Sequence, residues 1–278
     1  MKNRLHFLFV AICLALLCQT GQKAFAQAPR TIEVGPHFGA SSYIGELNTW
    51  TNLGDWKWNE FNQFGYDWGL LARFNYDSRW SFRMDYTHGK IRACDTTAAW
   101  RPEAMLNFQS TVNDLSLMVE FNFLDYYTGH IKNVISPYIF GGISGLMFNT
   151  KPFTKDDRID TVSLRPKKTE GVEYAAFSLS IPFGVGCKMS LSKHLAATVE
   201  WRMHYTFTDY LDDVSGVYPD DKAHAKVSGY DLTDPSGKFS AKQQRGNSQT
   251  NDWYGFINLS LTWKFVIPNR SSCRMNYE

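Results

Sequence analysis

Apolar side chains alternate with polar or small ones in eight segments of the chain, each roughly ten to thirteen residues long. The clearest segment is 195–207, where Leu195, Val199 and Trp201 fall on one face and Glu200 and Arg202 on the other. A period of two is the side-chain repeat of a β-strand, whereas a helix would scatter these charges around its circumference. The predicted strands are 31–40, 65–76, 80–92, 112–123, 136–149, 177–190, 195–207 and 252–265. The fifth is almost wholly apolar, so its pattern does not decide which side faces inward.

The connections between these strands alternate between short and long. Short connections cover 77–79, 124–135 and 190–194, and long ones cover 41–64, 93–111, 150–176 and 208–251. Outer-membrane β-barrels show this alternation, with periplasmic turns on one rim and extracellular loops on the other. Ten residues of about 3.3 Å each, tilted by about 45°, cross roughly 23 Å of membrane. We therefore predict an all-β fold, an eight-stranded antiparallel up-and-down transmembrane β-barrel over 27–265 with a periplasmic C-terminal tail at 266–278.

The first 26 residues have the pattern of a secretory signal peptide. Lys2 and Arg4 precede an apolar run from Leu5 to Cys18, and the final Ala24-Phe25-Ala26 predicts cleavage after Ala26. We therefore expect the mature protein in the outer membrane, with both termini in the periplasm.

The mature chain is close to neutral. Removing 1–26 takes away three of the 29 basic residues and none of the 27 acids, which leaves 26 against 27. This balance gives no general attraction to nucleic acid. The remaining cysteines, Cys94, Cys187 and Cys273, are odd in number, which argues against a disulfide framework.

The predicted inward face carries charges of both signs in similar number. Opposite charges can neutralise one another inside a narrow barrel, whereas an unpaired charge there is unfavourable. Eight strands leave no open aqueous channel, so a porin is not predicted. A soluble sandwich or a lipocalin-like barrel, the alternative folds, would not need such polar faces. The predicted luminal charges are Glu33, Arg73, Arg83, Asp85, Glu120, Lys188, Glu200, Arg202 and Lys264.

Two patterns suggest catalysis or nucleotide binding, and neither is specific. His204 and Glu200, with Ser178 or Ser260, could form a Ser/His/acid triad, but any polar lumen contains such residues and no G-x-S-x-G elbow is present. The GGISG stretch at 141–145 lacks the Lys-Ser/Thr pair of a phosphate loop and lies inside a strand. We predict that the protein is not an enzyme and needs no cofactor.

The segment FTDYLDDVSG, 207–216, opens the longest loop with three acids, Asp209, Asp212 and Asp213. Clustered carboxylates can bind a cation such as calcium, but these lack the alternating spacing of an EF-hand loop. The favoured interpretation is that the aspartates accept backbone N–H groups and order the first turn of the loop, while Gly216 permits a chain reversal. A metal site at these acids stays an open alternative.

Five blocks of the sequence together resemble the PorG family, the outer-membrane β-barrel component of the type IX secretion system. They lie at 42–48, 115–123, 136–151, 178–193 and 200–218, and the block TFTDYLDDVSG is the most specific. The resemblance implies a role in secreting proteins that carry the type IX signal, with contact to a periplasmic ring formed by a lipoprotein and its partner. It also implies that the barrel is not the translocation pore.

The expected partners are therefore outer-membrane lipids and the periplasmic ring lipoprotein complex. The docking surface is assigned by topology alone, to the short turns and the C-terminal tail. Its predicted residues are Asp77, Ser78, Arg79, Ser192, Lys193 and His194, with the turn 124–135. The alternative function is a small surface barrel for adhesion or envelope anchoring, with its activity in the long loops.

Overall fold

The structure is a computed structural model that describes residues 30–45, 47, 64–94, 103–129, 134–154, 156–221 and 225–267. The predicted signal peptide at 1–26, Cys273 and most of the predicted tail lie outside the described residues. Among the described residues, no helix is long and apolar enough to cross a membrane.

Eight long strands close into one antiparallel barrel. They are β1 (Thr31–Ile44), β2 (Gly65–Asn75), β3 (Trp80–Cys94), β4 (Asn107–Asn122), β5 (Ile135–Pro152), β6 (Phe177–Ser190), β7 (Leu195–Thr206) and β10 (Trp253–Val266). A short hairpin, β8 (Lys226–Val227) and β9 (Tyr230–Asp231), lies in the loop between β7 and β10. The barrel order is β1-β10-β7-β6-β5-β4-β3-β2, so each strand pairs with its neighbour along the barrel and β10 closes on β1. The predicted up-and-down barrel is confirmed.

The barrel is apolar outside and polar inside over most of its height. Outward residues such as Phe38, Ile143 and Leu179 are 59%, 66% and 57% exposed. A continuous apolar exterior of this kind is unfavourable in water and suits the hydrocarbon core of a membrane. We call this surface the apolar belt. The open facing of the fifth strand is also resolved, because Ile139 and Ile143 of β5 point outward while Tyr138 and Ser144 are buried.

Above the apolar belt, toward the rim that carries the long loops, β3, β4 and β5 reverse this pattern. Their inward residues there include Ile91, Val112 and Phe148, all buried, while outward positions carry polar side chains such as Gln109 and Asn149. The strands therefore continue beyond the belt as an ordinary protein wall around an apolar core. This is why β4 begins at Asn107 rather than at 112, and why β5 runs on to Pro152.

The described parts of two long loops, 150–176 and 208–251, build an ordered cap over this rim. A short helix, α1 (Asp157–Asp160), a 3-10 turn (Arg165–Lys167) and the β8–β9 hairpin surround a small apolar cluster. Beneath that cluster, Leu211 and Val214 of the last loop pack with residues of the strand ends. The members contributed by the strands include Tyr43, Ile91, Phe108, Val112, Leu146, Phe148, Tyr254 and Phe256. The cap and the apolar cluster beneath it thus close this mouth of the barrel.

Candidate functional site

The lumen holds a connected set of ion pairs around Glu120. The Arg73 guanidinium lies 2.8 Å from Glu120 and 3.0 Å from Glu33. Lys188 Nζ lies 2.6 Å from Glu120, and Arg83 Nε lies 3.2 Å from it. One carboxylate on β4 is therefore surrounded by three cations from β2, β3 and β6.

A second group of luminal ion pairs lies closer to the capped end. We call the two groups together the ion-pair lattice. Arg83 Nη1 lies 2.6 Å from Glu200, which also accepts a hydrogen bond of 2.7 Å from the Tyr138 hydroxyl. Arg202 Nη1 lies 3.2 Å from Asp85. Four cations and four carboxylates thus balance in the two parts taken together: Arg73, Arg83, Lys188 and Arg202 against Glu33, Asp85, Glu120 and Glu200.

Lys264 is placed differently from the other eight predicted luminal charges. It is half-buried at the rim opposite the cap, and its Nζ donates to the backbone carbonyl of Thr128 rather than to a carboxylate. Sequence reasoning also missed luminal members. His37 lies 3.1 Å from Asp85 and 3.7 Å from Asp67. Alternation could have found His37, because it shares a face of β1 with Glu33.

Among the described residues, the luminal ion pairs leave no water-filled path. Arg73, Arg83 and Arg202 are 1%, 2% and 0% exposed, and Glu120 is fully buried. A water-filled channel would expose the charged side chains that line it. Luminal side chains therefore fill the barrel, as expected for eight strands.

The triad considered from sequence is not assembled. Glu200 is paired with Arg83 and Tyr138, and the Ser178 hydroxyl donates to the carbonyl of Leu179. His204 Nδ1 instead lies 3.2 Å from the Ser180 hydroxyl and 2.9 Å from the Tyr254 hydroxyl. A serine relay uses both ring nitrogens, one toward the nucleophile and one toward the acid. Here the polar contacts converge on Nδ1, and Nε2 is buried with no hydrogen-bond partner among the described residues.

The turn at 77–79 is braced against the next short connection along the rim. Asp77 accepts hydrogen bonds from the backbone N–H groups of Arg79 and Trp80, at 2.7 and 2.6 Å. The Ser78 hydroxyl and the Arg79 Nε both reach Asp125 Oδ1, at 3.1 and 3.0 Å. The predicted docking residues Asp77, Ser78 and Arg79 therefore form one ordered surface with the following connection.

That following connection also closes the uncapped end of the barrel. Thr128 is buried, and its hydroxyl donates to Glu33 inside the lumen. Gly129 has a φ of +89° and packs against the backbone of Lys193, where an added Cβ would lie 2.7 Å from the carbonyl oxygen. Its N–H donates to Ser190 Oγ at 2.7 Å. We call the segment 125–129 the inner plug.

Ser192, Lys193 and His194 lie beside the inner plug and are exposed. Ser192 Oγ accepts from the N–H groups of His194 and Leu195, at 3.4 and 3.2 Å, which fixes the turn. The His194 ring stacks on Trp263 with 5.6 Å between centroids. All three short-turn groups therefore meet on a single rim around the inner plug.

At the capped end, two of the three loop acids are held by separate contacts. The Tyr43 hydroxyl lies 2.7 Å from Asp212, whose other oxygen accepts the N–H of Val214 at 2.9 Å. Asp213 accepts from the hydroxyls of Thr169 and Tyr174, the latter at 2.6 Å. Burial raises the pKa of Asp213 to about 6, an effect that the nearby Arg245 guanidinium opposes.

Glu170, from the preceding loop, supports the same segment from the other side. It accepts from the backbone N–H groups of Ser215 and Gly216 at 2.9 and 2.8 Å, and it pairs with Arg245 at 2.9 Å. The backbone N–H groups at the end of 207–216 are thus satisfied by a glutamate that sequence reasoning did not single out.

Asp209 is the exception among the loop acids. Both of its carboxylate oxygens are buried, and no donor among the described residues meets hydrogen-bond geometry at either. Burial raises the pKa of Asp209 to about 6, and the nearby Ser215 side chain, which favours the ionised form, offsets only part of this effect. Asp209, Asp212 and Asp213 do not converge on one point, and no group of three His, Cys, Asp or Glu side chains in the described ranges is placed to hold a metal ion.

A family model described as "Domain of unknown function (DUF6089)" matches residues 6–273. The chain belongs to the DUF6089 family. No curated protein sequence matches it.

Several solved structures of small bacterial barrels are similar to this DUF6089 chain. Neisserial surface protein A is 11% identical, with 87% of this chain and 100% of that chain covered and a TM-score of 0.42. The N-terminal barrel domain of Pseudomonas aeruginosa OprF is 11% identical, with 84% and 97% covered and a TM-score of 0.37. A major outer membrane protein from Thermus thermophilus is 14% identical, with 86% and 100% covered and a TM-score of 0.39.

The DUF6089 barrel therefore has three separate layers along its axis. The inner plug and the short turns form one end, the balanced ion-pair lattice fills the middle, and the ordered cap forms the other end. The lumen itself is occupied by the barrel's own side chains.

Proposed function

We propose that this DUF6089 barrel is a non-enzymatic structural and docking component of the outer membrane. The observation that carries the proposal is the filled lumen, where the central arginines and Glu120 are 2% exposed or less. Because no water path runs through the barrel that the structure describes, it can contact other molecules only at its rims and on its lipid-facing exterior. The His204 contacts support a non-enzymatic role, because they lack the two-sided relay of a hydrolase.

The more specific proposal is that the barrel serves a type IX secretion machine and contacts its periplasmic ring. Its support is the sequence resemblance to the PorG family, strongest in the block at 206–216. The rim of short turns is the proposed contact surface, because its turns are fixed by hydrogen bonds and two of its cations, Arg79 and Lys193, reach the surface. Rigid turns favour docking, since little conformational entropy is lost on binding.

Two experiments test this proposal. Deletion of the gene should block export of type IX cargo, and expression of the wild-type chain should restore it. A photo-crosslinking residue at Lys193 should capture the periplasmic lipoprotein, whereas the same residue at Lys238, an exposed lysine of the cap, should not. Normal export in the deletion strain, or equal crosslinking from both positions, would refute the type IX assignment.

A second candidate function is adhesion or envelope anchoring through the cap. The favouring observation is that the loops 150–176 and 208–251 share an apolar cluster of their own, built on Ile159, Leu164, Ala225 and Leu232, and so present an ordered surface. Replacement of 211–249 by a short Gly/Ser linker distinguishes the two functions. Lost adhesion with intact cargo export after this replacement would favour a function of the cap. The docking function instead predicts that changes in the rim of short turns lower cargo export and leave adhesion intact.

A further inference from the structure

The outward face of β3, β4 and β5 changes from apolar to basic where these strands leave the apolar belt. Moving toward the cap, successive outward pairs on β3 and β4 are Tyr86 and Leu115, His88 and Asn113, Lys90 and Thr111, and Arg92 and Gln109. Gln109 in turn pairs with Lys151 of β5. Lys90, Arg92 and Lys151 thus lie together above the belt, one outward pair, His88 and Asn113, beyond Tyr86 and Leu115. Only amide and hydroxyl side chains separate the three cations from one another.

The spacing of these three cations suits phosphate groups. Lys90 and Arg92 are two residues apart on one strand, about 7 Å, and Arg92 and Lys151 are two strand spacings apart, about 10 Å. A phosphate between Lys90 and Arg92 can contact both, and a neighbouring phosphate can reach Lys151. Amide and hydroxyl groups between the cations supply further donors to phosphate oxygens.

Within the described part of the chain, no carboxylate pairs with these cations. Arg92 lies over the Phe153 ring at 4.9 Å from its centroid, and its Nε is buried with no hydrogen-bond partner among the residues that the structure describes. Lys90 Nζ lies 6.0 Å from the centroid of Tyr66. The described outward positions of β3, β4 and β5 above the belt carry no Asp or Glu. By contrast, the luminal arginines and Arg245 of the cap all have carboxylate partners.

We propose that Lys90, Arg92 and Lys151 form a binding site for the phosphate groups of an anionic lipid in the leaflet next to the cap. The occupant follows from two features together: the unneutralised positive charge, and the apolar belt that begins one outward residue pair below it on the same strands. Acyl chains would lie against outward belt residues such as Tyr86 and Leu115, which are 40% and 52% exposed, while the headgroup meets the cations. A free phosphate ion would use the charge but not the belt. The site depends on the membrane placement of the barrel but not on type IX secretion.

The test uses the full chain reconstituted in nanodiscs of phosphatidylcholine with lipid A, a phosphorylated lipid, and in nanodiscs of phosphatidylcholine alone. Lipid A that remains bound after transfer to detergent is counted by native mass spectrometry. The variant Lys90→Gln, Arg92→Gln, Lys151→Gln should retain lipid A at least about tenfold less well than the wild type, because each cation near the headgroups adds to the attraction. An excess of inorganic phosphate should not displace the lipid.

The matched control removes the same charges from the cap surface, as Arg165→Gln, Lys226→Gln, Lys238→Gln, all at exposed positions. This control should retain lipid A like the wild type. Equal retention by both triple variants, or equal loss in both, would overturn the proposal, and so would displacement of the lipid by inorganic phosphate. Heat-modified electrophoretic mobility checks folding. If the strand variant does not fold, the single change Arg92→Gln should still lower retention, and no change there would count against the site.

Discussion

Arg83 and Glu200 face each other across the full width of the barrel, with 2.6 Å between Nη1 and Oε2. They belong to β3 and β7, which are four strands apart in either direction around the closed sheet. The ion pair therefore joins opposite walls, and it does so where both side chains are removed from water. A cross-lumen pair of this kind stabilises the barrel only while both partners are present, because an unpaired charge left behind is strongly destabilising.

The variant Arg83→Met should lower the free energy of unfolding by about 3–5 kcal/mol, since it leaves Glu200 and Glu120 with fewer counter-charges. Urea unfolding of the barrel refolded in lipid vesicles measures the change. The double variant Arg83→Met, Glu200→Met should recover part of the loss. Arg158→Met, which breaks an exposed Arg–Asp pair on the cap, is the control and should leave the unfolding curve unchanged. Equal curves for Arg83→Met and the control would contradict this account.

Glu170 should be the residue on which the order of the last loop depends. Glu170→Gln weakens the hydrogen bonds to Ser215 and Gly216 and leaves Arg245 without one partner. Because hydrogen bonds to a charged group contribute about 1.5–3 kcal/mol each, the loop should open far more readily. Limited proteolysis should then cut within 208–251 while the barrel keeps its heat-modified mobility. Glu173→Gln, an exposed change in the same connection, should behave like the wild type.

The strands were predictable from sequence because one side of the barrel is apolar and the other is polar along most of their length. In β7 the alternation of Val199 and Trp201 with Glu200 and Arg202 decides both the strand and its facing. In β5, Tyr138 and Phe140 face inward although they are aromatic, so both faces are apolar in the sequence and the facing could be resolved only in the structure.

The ends of the strands and the two closures were less predictable. In β4 the inward Val112 and Phe108 lie above the belt, where the pattern reverses and the sequence resembles a loop. The inner plug gives no periodic signal, because its role depends on single contacts such as that of Thr128 with Glu33. Glu170 is likewise recognisable only from the two backbone N–H groups that it meets 45 and 46 residues further along the chain.

Gly129 should be essential for the position of the inner plug. Gly129→Ala combines an unfavourable positive φ with a Cβ only 2.7 Å from the Lys193 carbonyl oxygen. Gly229→Ala, at the turn of the β8–β9 hairpin, has a similar φ of +85° but no atom within 4 Å of the added Cβ. The backbone strain should lower stability by about 1–3 kcal/mol in each case. Only Gly129→Ala should also reduce crosslinking from Lys193 to the periplasmic partner. Equal crosslinking in the two variants would show that the inner plug does not order the rim of short turns.

The cap should become less stable as the pH rises from about 4 to about 6. Asp209 and Asp213 both have a pKa of about 6 in the folded protein because burial disfavours their charged forms, whereas an unfolded aspartate titrates near about 3.9. The folded cap therefore binds more protons than the open cap in this window, so its stability is complete below the lower pKa and is lost as the pH rises through the higher one.

Hydrogen exchange at the amides of 211–216, corrected for the intrinsic effect of pH, should show at least about a tenfold rise in the opening equilibrium across the window. Asp209→Asn should flatten this dependence and leave the part that comes from Asp213, while Asp157→Asn, an exposed change on the cap, should leave it intact. A wild-type cap whose opening does not change between these pH values would show that neither carboxyl is buried as described.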